Sequence, residues 1–95
     1  ILKKEINGYF IELDISIQSD RKSFHLQAKL SKDNEEIRDD KYKIYLLKSS
    51  KPIEFIRLSE SYHFNTHLTQ DAYLLQVKHN DSTIIEIDLN LEASE

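Results

Sequence analysis

The chain has 95 residues, 39% of them hydrophobic and 32% charged, with a formal net charge of −4 and a pI of about 5.5. That length suits one domain built on one core, and the acidic balance argues against an electrostatic footprint for nucleic acid or an anionic membrane surface. Cysteine is absent, which excludes disulfides, thiolate metal sites and a cysteine nucleophile, and no apolar run is long enough to span a bilayer.

Period two dominates from the start. Tyr9, Ile11, Leu13, Ile15 and Ile17 alternate with Glu12, Asp14 and Ser16, which predicts a long half-buried strand. Residues 19–22 (SDRK) read as a polar turn. Phe24, Leu26, Ala28 and Leu30 then alternate with His25, Gln27 and Lys29 as a second strand, forming a hairpin with the first. Residues 31–40 (SKDNEEIRDD) carry charge without an apolar period and read as a loop. The third strand covers 41–48, followed by a turn at SSKP. The fourth is PIEFIRL (52–58), where proline is tolerated at a first or edge position.

SYHFNTHL (61–68) reads as a fifth strand with Tyr62, Phe64 and Leu68 in phase, and AYLLQVKH (72–79) as a sixth with Tyr73, Leu75 and Val77 in phase. HNDS (79–82) is a tight hairpin turn, since Asn and Asp tolerate the left-handed backbone. The seventh strand is TIIEIDLNL (83–91), with Ile85, Ile87, Leu89 and Leu91 on one face, and EASE (92–95) is a polar tail. No segment keeps a helical period. The pattern predicts an all-β fold, a seven-stranded antiparallel sandwich in a single domain over 1–95. Methionine is absent even at position 1, which predicts a piece of a longer protein or a processed product.

The stretch LTQDAYLLQV (68–77) resembles the start of the F strand in immunoglobulin-like sandwiches. A tyrosine there, the tyrosine corner, bonds back to nearby backbone through its hydroxyl. Asp71 and Ala72 would form the turn and Tyr73 the corner. Leu75 stands where antibody-type domains carry their second cysteine, and Tyr42 or Ile44 would replace the missing strand C tryptophan. Together with the strand order, this is similar to an immunoglobulin-like or fibronectin type III-like sandwich without its disulfide. Residues 45–81 also resemble small sandwich domains attached to bacterial surface and polysaccharide-processing proteins. The resemblance implies an accessory domain of a larger bacterial protein, with cytoplasm or cell surface left open.

With strands A, B and E in one sheet and C, C′, F and G in the other, the first outer face holds Glu12, Asp14, Ser16, His25, Gln27, Lys29, His63, Asn65 and His67. That is an ordinary solvated face. The second would expose Tyr45 and Leu47 on C, Leu74 on F and Ile84 on G, joined by Ile56 and Leu58 on C′. The phase of C′ depends on whether IEFI contains a bulge. A contiguous apolar patch marks an interaction site; the bland alternative is scattered side chains, or cover by the chain's own termini.

His63 and His67 share a face but lie about 13 Å apart in an extended strand, too far for one ion at about 2 Å from each. The acids of DNEEIRDD lack the glycine and ligand alternation of an EF-hand loop. No serine follows a nucleophile-elbow pattern, and the paired carboxylates read as surface charges, so no enzyme, metal or cofactor is expected. NDS at 80–82 fits a turn better than a glycosylation site. The expected function is a non-catalytic accessory domain that packs its C–C′–F–G outer face against a neighbouring domain or a second copy. The alternative is a carbohydrate-binding module using exposed aromatics: Phe10, Tyr45 and Tyr62.

Overall fold

Four pairs of consecutive left-handed residues set the hairpins. Asn7 and Gly8 (φ 53° and 83°), Asp33 and Asn34 (53° and 66°), Ser49 and Ser50 (52° and 66°), and Asn80 and Asp81 (51° and 68°) each join two antiparallel strands. Two successive positive-φ residues make the type I′ turn, whose twist matches that of the strands it connects. The computed structural model describes residues 2–19, 23–65 and 67–92.

The described residues form nine strands in two sheets. In the first, β1 (Leu2–Ile6), β2 (Tyr9–Ile17), β3 (Ser23–Lys32) and β4 (Glu35–Glu36) run in that order, and β7 (Leu68–Thr69) also pairs with β3. The second has the order β6 (Lys51–Arg57), β5 (Tyr42–Lys48), β8 (Asp71–His79), β9 (Ser82–Leu91). Every pairing is antiparallel. Among the described residues, no helix is long and apolar enough to cross a membrane.

The alternation read from the sequence becomes one shared core. Tyr9, Ile11 and Leu13 of β2 and Phe24, Leu26, Ala28 and Leu30 of β3 belong to the same buried cluster as Ile44 and Leu46 of β5, Tyr73, Leu75 and Val77 of β8, and Ile85, Ile87, Leu89 and Leu91 of β9. Phe64 and Leu68 add to it from the segment between β6 and β8. Each buried Leu, Ile, Val or Phe among them contributes roughly 1.5–3 kcal/mol by leaving water.

Seven strands were expected and the described residues form nine, for two reasons. Asn7 and Gly8 turn the chain so that residues 2–6 pair with β2 as an edge strand. Within 31–40, β3 continues to Lys32 and reverses at Asp33 and Asn34 into β4, so the expected loop begins as a hairpin. The expected fifth strand is mostly irregular. His63 bridges Gln27, the Ala28 N–H donates to the Tyr62 carbonyl at 2.9 Å, and only Leu68 and Thr69 form a ladder. Most of the turn at 19–22, Thr66 of the fifth strand, and all but the first residue of the tail at 92–95 lie outside the described residues.

Two bulges correct the expected outer face. On β6, Glu54 pairs with Leu46 and Pro52 with Leu47, so Ile53 is an extra, unpaired residue. Its insertion resets the phase: Ile56, 5% exposed, and Leu58, 2% exposed, belong to the core, and Phe55 faces outward instead. On β9, Lys78 pairs with Thr83 and Val77 with Ile85, which leaves Ile84 as the extra residue. Ile84 is partly buried and packs against the core cluster. Its carbonyl accepts a hydrogen bond from Asn7 Nδ2 at 2.9 Å, which ties the first hairpin turn to β9.

Candidate functional site

The outer face of the second sheet is organised in rows that cross the strands. One row pairs Phe55 of β6 with Tyr45 of β5 and Tyr45 with Gln76 of β8. The two rings stack, with centroids 5.2 Å apart and planes inclined by 25°. Phe55 is 44% exposed and Ile53 beside it 41%. Gln76 Nε2 donates to Glu86 Oε2 at 2.8 Å, which closes the row at β9. On one side of the rings, Leu47 pairs with Leu74 and with Pro52, and Ile53 of the bulge is exposed. Leu47 itself is almost covered on this face although it stands outside the shared core cluster.

On the other side of the rings the face is cationic. Arg57 of β6 pairs with Lys43 of β5, and Lys43 pairs with Lys78 of β8. The Arg57 guanidinium lies 5.3 Å and Lys43 Nζ 6.0 Å from the Phe55 ring centre, and Lys78 Nζ lies 4.9 Å from that of Tyr45. Among the described residues none of the three forms an ion pair with a carboxylate. Of the six residues expected on this face, the structure keeps Tyr45, Leu47 and Leu74 together and removes Ile56, Leu58 and Ile84.

The first sheet carries the remaining candidates. Phe10 is 50% exposed and borders a shallow cavity of about 500 Å³ shared with Lys3, Glu12, Lys29, Asn34 and Glu36. Lys3 pairs with Glu12 across β1 and β2 at 3.4 Å. Tyr62 is half-buried under Lys29, whose Nζ is 4.8 Å from the ring centre. His25 and His63 stack with centroids 5.6 Å apart, because the bridge from Gln27 to His63 lays the irregular segment against β3. No group of three or more His, Asp or Glu side chains among the described residues is placed to hold a metal ion.

Tyr73, at the start of β8, reaches back four residues. Its hydroxyl donates to the Thr69 carbonyl at 3.0 Å and accepts from the Thr69 N–H at 3.1 Å. Asp71 beside it is held below the usual carboxylate range, first by the Ala72 N–H and then by Lys48, whose Nζ is 3.1 Å from it. Asp39 is lowered in the same way by the Lys41 N–H. Tyr42 shares a 3.1 Å hydrogen bond with Tyr9; that bond and burial push its hydroxyl up to about 12. These three shifts follow from partners that hold turns and the sheet-to-sheet contact.

Sequence reasoning missed Phe55, Ile53 and the cationic row. The signal for them is the alternation Lys43, Tyr45, Leu47 set against Arg57 and Phe55. It becomes readable only once the bulge gives the register. Comparison of the chain with protein-family models, with curated proteins and with solved structures finds no match.

Proposed function

We propose that this chain is a non-catalytic, immunoglobulin-like accessory domain that binds through the outer face of β6, β5 and β8. The strand order β6-β5-β8-β9 corresponds to C′-C-F-G of such a sandwich, and the Tyr73 bond to Thr69 has the form of a tyrosine corner. The observation that carries the reading is the row of exposed Phe55 and stacked Tyr45, continuous with Leu47 and Leu74. Phe55 and Ile53, exposed on β6, next to the partly exposed Tyr45 and Leu74 on the neighbouring strands, favour a contact surface. The partner is a neighbouring domain of a larger protein or a second copy.

The test replaces Phe55 and Leu74 by glutamate. Both side chains are at least partly exposed, so the fold survives, which circular dichroism checks. Sedimentation velocity then reads the second-copy form, and limited proteolysis of the parent protein reads docking to a neighbour. Unchanged association together with an unchanged proteolysis pattern discards this face.

A second reading, a carbohydrate-binding module on the same face, is favoured by the Tyr45–Phe55 pair and its flanking hydrogen-bond donors. Saturable glycan binding that disappears in Tyr45→Ala supports it. A glycan screen without a single binder removes it.

A further inference from the structure

From the charge pattern beside the rings, we infer that the ligand of this face is an acidic polysaccharide, a linear glycan bearing carboxylate or sulfate groups. This rests on the carbohydrate reading above and specifies its substrate class. Arg57, Lys43 and Lys78 are direct cross-strand neighbours, and the row ends on Thr83 without a carboxylate. Like charges directly opposite each other destabilise a sheet. The arrangement stands in a chain whose net charge is −4 and which has acids available for pairing elsewhere. Asp40 and Asp81 line a shallow cavity of about 270 Å³ with Lys43 and Lys78, yet stand outside ion-pair distance.

Contact with Phe55 and Tyr45 accommodates the three charges in the free chain but does not neutralise them. An anion does both. The geometry also selects the shape of that anion. Neighbouring strands are about 4.8 Å apart, so the three cations form a straight line roughly 10 Å long, on a sheet face. A linear polymer matches such a line better than a compact ligand matches a flat surface.

The ring row lies one step along the strands, about 7 Å away, where the apolar edge of a sugar ring can rest on Tyr45 and Phe55. Three cations in an acidic chain suit a sparse polyanion, with about one charge per sugar. Single-stranded nucleic acid is more densely charged and is met by basic grooves that follow its backbone.

Affinity electrophoresis in gels containing polygalacturonate, dextran or no polymer tests this, with a thymidine oligonucleotide as competitor. Polygalacturonate is expected to retard the chain, dextran to leave it unaffected, and added salt to release it. Lys43→Ala/Lys78→Ala and Arg57→Ala are each expected to weaken binding roughly tenfold or more, since charge-assisted contacts to carboxylates are lost. Tyr45→Ala should weaken it too, whereas Lys3→Ala on the opposite sheet should not. Equal retardation by dextran overturns the acidic specificity and leaves the carbohydrate reading standing. No retardation by either polymer overturns the acidic-polysaccharide inference, and the glycan screen then decides the carbohydrate reading. Displacement by the oligonucleotide at lower concentration than by free polygalacturonate assigns the site to nucleic acid and overturns the inference. So does full binding by the lysine double variant.

Discussion

Single hydroxyls do much of the positioning in this chain. The Tyr73 hydroxyl both donates to and accepts from the backbone of Thr69, which fixes the entry into β8. Tyr73→Phe leaves those two part-buried backbone groups short of a partner and is expected to cost about 1–3 kcal/mol, measured by urea unfolding. The Tyr9–Tyr42 pair makes a different prediction. Tyr42 titrates near 10 in the unfolded chain and at about 12 when folded. Between those values the folded form keeps a proton that the unfolded form has lost. The stabilisation is therefore complete below pH 10 and falls away as pH rises towards about 12. Comparing urea midpoints of wild type and Tyr42→Phe between about pH 8 and pH 11 should show a steeper decline for wild type.

At the scale of elements, the hairpin turns explain why the sheets form where they do. Asn, Asp and Gly hold most of the left-handed positions, as their short side chains or lack of one allow. The exception is the β5–β6 turn, where Ser49 and Ser50 both adopt positive φ. Replacing them by Asn and Gly is expected to raise stability by about 1 kcal/mol, read as a shift in thermal midpoint. An unchanged or lower midpoint would mean that the serine side chains hold that turn by other means. The same hairpin carries the Ile53 bulge that turns Ile56 inward and Phe55 outward. A strand is thus specified by its turn and by its irregularities together.

At the scale of the whole molecule, one buried cluster draws on both sheets. Leu75 is fully buried in it, whereas its neighbour Leu74 faces outward beside Leu47. Leu75→Ala is expected to cost about 2–5 kcal/mol and Leu74→Ala well under half of that. Because the core is shared, Leu75→Ala should also lower amide protection in β2 and β3, which hydrogen exchange can read strand by strand. Loss confined to β8 and β9 would show that the sheets unfold separately.

The sequence alone determined the all-β class, six of the strands, most of the inward residues of five of them, and the hairpin at Asn80 and Asp81. It could do so because alternation and left-handed turn residues are local properties of the chain. Residues 2–6 and 35–36 carry too little alternation to announce themselves, and pair only because a turn brings them to a longer strand. Tertiary structure decided the rest. One unpaired residue, Ile53, reverses the phase of the rest of β6, and a period-two pattern cannot reveal where such a residue falls. The row of Arg57, Lys43 and Lys78 joins three strands distant in sequence, so it exists only once register is set. The core was written along the chain; the candidate binding face was written across it.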